Sequence, residues 1–226
     1  MIEVPCIQGS AEWFRLRLGI PTTSGYDRIL TPKKAEPAAA QGKYVYTLVA
    51  EWLLGHPLDE EGTDLTLRGQ DLEDDACRFY EFDRDVELVP SGFCLSDDRM
   101  TGCSVDRFVG TDGIVEIKCP GASHHVAYLL GEAQDEHRPQ IQGQLWITGR
   151  QWVDLLAYHP ELPSVVVRYG RDDLFIKKLA TEMPRFLARL MEAKEKMIRA
   201  GHHPPDDGVA GWLKTWLERS LAEVTP

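Results

Sequence analysis

The sequence predicts an α/β fold in which helices flank a central mixed β-sheet. Three observations lead to this prediction: helical patterns occupy both ends of the chain, β-patterned runs occupy its middle, and a further helix separates two groups of these runs. With 226 residues, 43% of them apolar, the chain is long enough to bury a substantial core. We find no internal repeat that would indicate a solenoid or a repeat array.

The N-terminal part reads as short helices followed by a long acidic one. The predicted helical segments are Ser10–Leu18, a short segment opened by the cap candidates Thr22–Ser24, then Gln41–Leu54 and Leu67–Phe82. A helical wheel of the last segment gathers its apolar residues in one arc: Leu72, Ala76, Cys77, Phe79 and Tyr80. Glu73 falls inside this arc. Because a buried carboxylate needs a partner, Glu73 is either a functional acid or a hydrogen-bonded structural one.

Strands and two further helices are predicted for the rest of the chain. The β-patterned runs are Val86–Leu95, Met100–Asp106, Ile114–Lys118, Trp152–Tyr158 and Ser164–Tyr169. The helical segments are Asp135–Thr148, Leu174–Ala200 and Val209–Leu221. Helices therefore alternate with strands, as in an α/β protein.

Charge and composition exclude several classes of protein. No apolar run approaches the roughly 20 residues of a membrane span, and the start of the chain lacks a secretory signal pattern. The five cysteines form no CxxC pair, which favours reduced thiols in a cytoplasmic protein. The net charge of −11, concentrated in residues 51–100, argues against non-specific DNA binding. Charge does not exclude a local basic channel, or carboxylates that metal ions neutralise.

The most informative stretch is the predicted hairpin that carries Asp106, Glu116 and Lys118. Alternation along a strand places Glu116 and Lys118 on one face. If the turn centres near Thr111, Asp106 lies opposite Glu116, and Ser104 lies opposite Lys118. Two carboxylates and an ammonium would then share one patch, which suits Mg²⁺ and phosphate chemistry. The alternative is an exposed salt-bridge cluster with no catalytic role.

The order of these residues resembles the PD-(D/E)xK nuclease superfamily. That superfamily has a helix glutamate, a strand aspartate, an E-x-K strand and a helix glutamine, in this order. Glu73, Asp106, Glu116, Lys118 and Gln142 match it. The resemblance implies a restriction-endonuclease-like core.

Further motifs are similar to the phage lambda exonuclease (viral recombinase) family. They are the W-x-x-x-R-x-G-x-x-x-x-S run from Trp13 to Ser24, Gly69–Glu73, Cys103–Asp106, Glu116–Pro120, and Gln140–Gln142 with Trp146. The sequence departs from the superfamily pattern at Val105, where proline is expected, and at Trp146, where many other nucleases have tyrosine. Neither position supplies a metal ligand.

The resemblance implies a Mg²⁺-dependent 5′→3′ exonuclease that degrades one strand of linear duplex DNA to mononucleotides and leaves 3′ tails for recombination. It implies two Mg²⁺ per site, with Mn²⁺ as the alternative ion. The implied metal ligands are Asp106, Glu116 and Ile117 through its carbonyl, and the implied catalytic set is Asp106, Glu116, Lys118, Gln142 and Glu73. The implied pocket for the 5′-phosphate is formed by Arg17, Ser24, Ser104 and Gln142, with Gln140 as the alternative register for the glutamine.

The resemblance also implies partners and a place in the cell. Double-stranded DNA ends, a homotrimeric ring and a single-strand annealing recombinase are the expected partners, in the cytoplasm of a bacterial host and with no membrane. We expect one nuclease domain over residues 1–226: a helical part to residue 66 that contributes the phosphate pocket, a catalytic core to residue 158, and a C-terminal part. The Trp212/Trp216 helix is the candidate subunit contact. The alternatives are another nuclease of the superfamily, or an inactive DNA-end-binding protein on the same fold.

Overall fold

A computed structural model describes residues 1–58 and 64–205 of the chain, with the backbone alone for residues 64–71 and for Gln134. The described helices are α1 (Ala11–Arg17), α2 (Gln41–Leu54), α3 (Asp64–Arg84), α4 (Ala122–Leu129), α5 (Arg138–Thr148) and α6 (Asp173–Arg199), with 3-10 helices at Thr23–Arg28 and Gln134–His137. The described strands are β1 (Ile2–Val4), β2 (Leu88–Pro90), β3 (Phe93–Leu95), β4 (Gly102–Ser104), β5 (Arg107–Val109), β6 (Gly113–Lys118), β7 (Trp152–His159) and β8 (Leu162–Gly170). No helix among these residues is long and apolar enough to cross a membrane.

The strands form two sheets, and the larger one carries the candidate site. Its order is β2-β5-β6-β7-β8, with β6 and β7 parallel and the other neighbours antiparallel. The smaller sheet has the antiparallel order β1-β3-β4. Helices pack on both faces of the five-stranded sheet. The predicted α/β class with a central mixed sheet is therefore confirmed.

The long strand predicted over residues 86–95 is wrong, because the chain changes sheets at Ser91 and Gly92. β2 joins the large sheet and β3 joins the small one. Gly92 makes this change possible: a Cβ atom added there would lie 2.2 Å from the carbonyl oxygen of Val4. Only glycine allows the neighbouring backbone to approach so closely.

The hairpin register is confirmed at one end and corrected at the other. β5 pairs Arg107 with Val115, which centres the turn on Thr111 and brings Asp106 level with Glu116. Ser104, however, does not lie opposite Lys118. It belongs to β4 and pairs with Phe93 in the small sheet. The strand predicted over residues 100–106 therefore ends early, since the chain passes from one sheet to the other just before Asp106.

The two faces of the large sheet bury different parts of the chain. On one face, α3 packs its predicted apolar arc, with Ala76, Cys77 and Tyr80 buried against Val115 and Ile117 of β6. On the other face, buried side chains from the 3-10 helix at residues 23–28 and from α2, α5 and α6 form the larger core. This second face is the one on which Glu116 and Lys118 project.

Helix α4 and strand β1 were not predicted from the sequence. α4 begins directly after Pro120 and Gly121, which are typical of a loop. Its burial pattern also hides it: His125 and Tyr128 are buried, while the apolar Val126 and Leu129 are exposed. Because a polar residue faces inward and apolar ones face outward, the helical period is weak in the sequence.

The five cysteines are free, as predicted. Cys77, Cys94 and Cys103 are buried, whereas Cys6 and Cys119 are partly exposed. The helix predicted over residues 209–221, with Trp212 and Trp216, lies outside the described residues.

Candidate active site

Strand β6 places a carboxylate and an ammonium side by side. Glu116 is 2% exposed, and Lys118 Nζ lies 2.6 Å from Glu116 Oε1. The two side chains share a face because residues two apart on a strand project the same way. The flanking Val115 and Ile117 enter the opposite layer, so the alternation predicted from the sequence is confirmed.

Asp106 completes this patch from the junction between the two sheets. Its Oδ2 accepts a 2.7 Å hydrogen bond from the backbone N–H of Ile117. Burial and the charge of Glu116 raise the pKa of Asp106 to about 8. Two carboxylates that oppose each other's ionisation in this way call for a positive charge between them.

Lys118 supplies part of that positive charge. Burial alone would lower its pKa, but Glu116 and Asp106 outweigh this effect and raise the pKa to about 12. Lys118 is therefore an ammonium in this arrangement of charges.

Helix α5 holds Glu116 through two glutamines. Gln140 Nε2 donates to Glu116 Oε1 at 2.6 Å, and Gln144 Nε2 donates to Oε2 at 2.6 Å. The spacing of four residues puts both amides on the same face of the helix. Both oxygens of Glu116 are thus fixed, and Oε1 is shared with Lys118.

Gln142 does not contact Glu116, and its predicted part in the phosphate pocket stays a prediction. Its Nε2 donates to the carbonyl of Gly170 at 2.9 Å, and its Oε1 accepts from the N–H of Asp172 at 2.8 Å. Because two residues along a helix span more than half a turn, Gln142 faces away from Gln140 and points toward the start of α6. The alternative register, with Gln140 as the site glutamine, is the one that the structure supports.

The donor set at this patch fits a hard divalent cation such as Mg²⁺. Asp106, Glu116 and the carbonyl of Ile117 offer oxygen ligands, which Mg²⁺ prefers, and the crowded carboxylates gain from a cation. Within residues 1–58 and 64–205, no group of three or more His, Cys, Asp or Glu side chains could hold a metal. A metal at this patch would therefore rely on two carboxylates, a backbone carbonyl and solvent.

Glu73 lies near the patch but forms an ion pair with Arg107. Its Oε1 is 2.6 Å from Arg107, and Arg107 shares the α3 face of the sheet with its partner Val115. The charge of Glu73 contributes to the raised pKa of Asp106, so the two acids interact through space. These contacts give Glu73 a structural ion pair, which agrees with the structural alternative stated for it above.

An arginine and a serine of the predicted phosphate pocket meet beside Trp13. The indole N–H of Trp13 donates to Ser104 Oγ at 2.8 Å. The guanidinium of Arg17 lies 3.9 Å from the Trp13 ring centroid, and its Nη1 is 3.5 Å from Ser104 Oγ. The backbone carbonyl of Ser104 accepts from Gln144 at 3.3 Å. A chain of contacts therefore joins Arg17 to the amide that holds Glu116.

Ser24 lies on a cavity that Gln140 also lines. It is exposed, and its Oγ is 3.1 Å from Thr22 Oγ1. The cavity has a volume of about 200 Å³ and is lined by Thr23, Ser24, Asp27, Glu136, His137 and Gln140. Ser24 therefore lies near Gln140, the glutamine that contacts Glu116.

Several residues of the site escaped the sequence analysis. Gln144 has the same signal as Gln140, a polar residue on a helix face, but the choice among three glutamines needs the rotation of the helix. Arg107 shows no motif of its own. Tyr128 lies on α4 and His137 lies just before α5, and the sequence gives no pattern that connects either residue to the site.

The chain is similar to known proteins in both sequence and structure. A family model described as a YqaJ-like viral recombinase domain matches residues 12–151. No curated protein matches the chain. Among solved structures, an alkaline exonuclease (LHK-Exo) from Laribacter hongkongensis is 31% identical, with a TM-score of 0.76, over 85% of this chain and 98% of that one.

Two further solved structures are similar over the same share of this chain. LHK-Exo in complex with dAMP has a TM-score of 0.75 at 31% identity, covering 85% of this chain and 98% of that one. A phage-related exonuclease from Haemophilus somnus 129PT has a TM-score of 0.63 at 15% identity, covering 85% and 99%, and shows the fold alone. The chain therefore belongs to the YqaJ-like viral recombinase family and is an enzyme of the alkaline exonuclease type.

Proposed function

We propose that the chain is a Mg²⁺-dependent exonuclease that degrades one strand of linear duplex DNA from its 5′-phosphorylated end. The observation that carries the proposal is the pairing of a carboxylate–lysine patch with a nearby arginine–serine site for an anion. The family supports nuclease chemistry. The dAMP bound by LHK-Exo is a 5′-mononucleotide, which supports mononucleotides as the product.

The residues of the patch have separate roles in hydrolysis of a phosphodiester. A bound Mg²⁺, held by Asp106, Glu116 and the Ile117 carbonyl, would polarise the phosphate and activate water. Lys118 places an ammonium beside Glu116, where it offsets phosphate charge. Gln140 and Gln144 hold both oxygens of Glu116 and so fix its orientation before substrate binds.

The direction of degradation follows in this proposal from the anion site. Arg17, whose Nη1 lies 3.5 Å from Ser104 Oγ, would present a guanidinium to a phosphate group, and Ser104 would present a hydroxyl. The stacking of Arg17 on Trp13 fixes the guanidinium plane and reduces the entropy lost on binding. A terminal 5′-phosphate held here would set which bond reaches the patch.

The test uses linear duplex DNA with 5′-phosphates, incubated with and without Mg²⁺, with release of mononucleotides followed over time. We expect 5′-mononucleotides, intact 3′ tails and no release in EDTA. Covalently closed circular duplex is the control, and it should stay intact. Cleavage of the circle would indicate an endonuclease of the same superfamily, and the absence of any cleavage would favour an inactive DNA-end-binding protein.

Substitution of the arginine tests the anion site. We expect wild-type enzyme to degrade 5′-hydroxyl ends more slowly than 5′-phosphate ends, and Arg17→Ala to remove most of this preference. A charge-assisted contact of this kind is worth about 1.5–3 kcal/mol. Arg15→Ala, on the same helix, is the matched control. Equal wild-type rates on the two ends would contradict the assignment of this pocket.

The same proposal includes assembly and partners. A closed homotrimeric ring would retain DNA by topology, so that an acidic chain need not hold it by charge alone. The 3′ tails that the enzyme leaves would be the substrate of a single-strand annealing recombinase. The place of action would be the cytoplasm of a bacterial host.

A further inference from the structure

Tyr128 of α4 and His137, just before α5, form a hydrogen-bonded pair that none of the roles above uses. The phenolic oxygen of Tyr128 lies 2.5 Å from His137 Nε2, and the two ring planes differ by 6°. Tyr128 is 3% exposed. A short hydrogen bond from a buried tyrosine with a nearly parallel ring fixes the orientation of the imidazole.

This pair connects the two helices that flank the catalytic patch. α4 follows β6 along the chain, and α5 carries Gln140 and Gln144, whose amides donate hydrogen bonds to Glu116. The charge of Lys118 acts on both Tyr128 and His137. The pair therefore lies within electrostatic reach of the patch.

His137 also lines the cavity that Ser24 and Gln140 share. The two acidic residues of this lining, Asp27 and Glu136, are both exposed, and Glu136 is 3.4 Å from His124. The remaining lining groups are hydroxyls, an amide and the imidazole, all of which can donate hydrogen bonds without carrying a charge. The volume of about 200 Å³ corresponds to several water molecules.

The protonation of the pair follows from its surroundings. Burial lowers the pKa of His137 to about 4, and the charge of Lys118 acts in the same direction. Burial raises the pKa of Tyr128 to about 12. Both groups are neutral at physiological pH, and a phenol that donates to Nε2 leaves the imidazole proton on Nδ1.

We propose that Tyr128 fixes His137 as a neutral hydrogen-bond donor to a phosphate oxygen of the DNA strand seated in this cavity. The inference rests on the proposed function and adds a residue that binds the substrate. The phosphate is either the terminal 5′-phosphate or the next one along the strand, since the chemistry of recognition is the same. His137 is then a substrate-binding residue, and Tyr128 is a positioning residue.

The test measures binding in EDTA, where hydrolysis does not compete, by fluorescence anisotropy on duplexes with a 5′-phosphate or a 5′-hydroxyl end. We expect His137→Ala to weaken binding about tenfold, the size of one hydrogen bond to a charged oxygen. We expect His137→Asn to restore it to within about threefold, because the asparagine amide nitrogen occupies the position of Nδ1. Loss on the phosphorylated duplex alone identifies the terminal phosphate, and equal loss on both identifies an internal one.

Tyr128→Phe separates positioning from packing. It should weaken binding in the wild-type background, since the imidazole loses the partner that fixes its tautomer. It should have no effect in the His137→Asn background, because an amide has no tautomer to fix. Tyr158→Phe, which packs against Phe79 on the other face of the sheet, is the matched control.

Two results would overturn the inference. One is wild-type affinity of His137→Ala for both duplexes, and the other is failure of His137→Asn to restore binding while it melts at the wild-type temperature. Mg²⁺-dependent cleavage by the wild-type enzyme is measured in parallel. If His137→Ala does not weaken binding but the wild-type enzyme cleaves linear duplex, this inference alone is rejected. If the wild-type enzyme does not cleave linear duplex, the proposed function is rejected.

Discussion

At the scale of single residues, the site depends on how charges and amides surround Glu116. Its two oxygens accept hydrogen bonds from Lys118, Gln140 and Gln144, each at 2.6 Å. Asp106 shares the same patch, and burial and the charge of Glu116 raise its pKa to about 8. The patch is therefore organised around negative charge that a cation would compensate.

Lys118→Ala should abolish cleavage and leave metal and DNA-end binding largely intact. The lysine offsets phosphate charge in our proposal, whereas Asp106 and Glu116 hold the metal. Loss of one positioned donor typically costs about 10²–10³-fold in rate. Mononucleotide release and calorimetry with Mg²⁺ and a DNA end measure the two effects. Activity within about tenfold of wild type would contradict this role.

The two neighbouring glutamines give a matched pair of variants. Gln140→Ala removes a hydrogen bond to Glu116, so we expect metal affinity or activity to fall about 10- to 100-fold. Gln142→Ala leaves two backbone groups near α6 without their partner, so we expect a loss of about 1–3 kcal/mol in stability. Calorimetry and denaturant unfolding distinguish the two. A Gln142→Ala variant that loses activity without losing stability would reverse this assignment.

At the scale of elements, α3 is fastened to the sheet by a buried polar contact as well as by its apolar arc. Tyr80 is 1% exposed, and its hydroxyl donates to Asp154 of β7 at 2.6 Å. The same carboxylate accepts two hydrogen bonds from Arg168 of β8, at 2.7 and 2.8 Å. One network thus joins a helix to two strands on the face opposite the catalytic patch.

Tyr80→Phe should therefore destabilise the protein without changing the catalytic rate. The hydrogen bond that it removes ends on a buried carboxylate, and such bonds contribute about 1.5–3 kcal/mol. The measurement is the free energy of unfolding in urea, with Tyr46→Phe, an exposed tyrosine of α2, as the control. Unchanged stability would show that Arg168 alone satisfies Asp154.

At the scale of the whole molecule, a strongly acidic chain must be reconciled with the proposed substrate. The net charge is −11, and phosphate affinity comes mainly from Lys and Arg. In the proposed anion site, Arg17 supplies the basic group. We therefore expect a closed ring that retains DNA by its topology.

Light scattering should give a trimer, three times 25.5 kDa, in the absence of DNA. Degradation should stay processive when a competitor-DNA trap is added, because a threaded ring need not dissociate between cleavage steps. The matched measurement is the length of tract degraded with and without the trap. A monomer that remains processive under the trap would contradict the ring, and it would leave the metal chemistry untouched.

The sequence by itself determined the α/β class and the strand that carries Glu116 and Lys118, with Asp106 beside it. Alternation along Glu116–Lys118 and the turn at Thr111 are local properties of the chain, so the hairpin register follows from them. The apolar arc of α3 is local in the same sense. The acid–lysine patch could be predicted because neighbouring residues on one hairpin carry most of it.

Only the tertiary structure decided which glutamine faces Glu116, where Ser104 lies, and that Glu73 is held by Arg107. Each of these depends on the rotation of a helix or on a change of sheet, which contacts between residues distant in the chain determine. Gln140, Gln142 and Gln144 look alike in the sequence, and burial of the rest of α5 against the core sets the helix rotation that separates them. Packing decides among the local alternatives because it depends on contacts with residues that are distant in the chain.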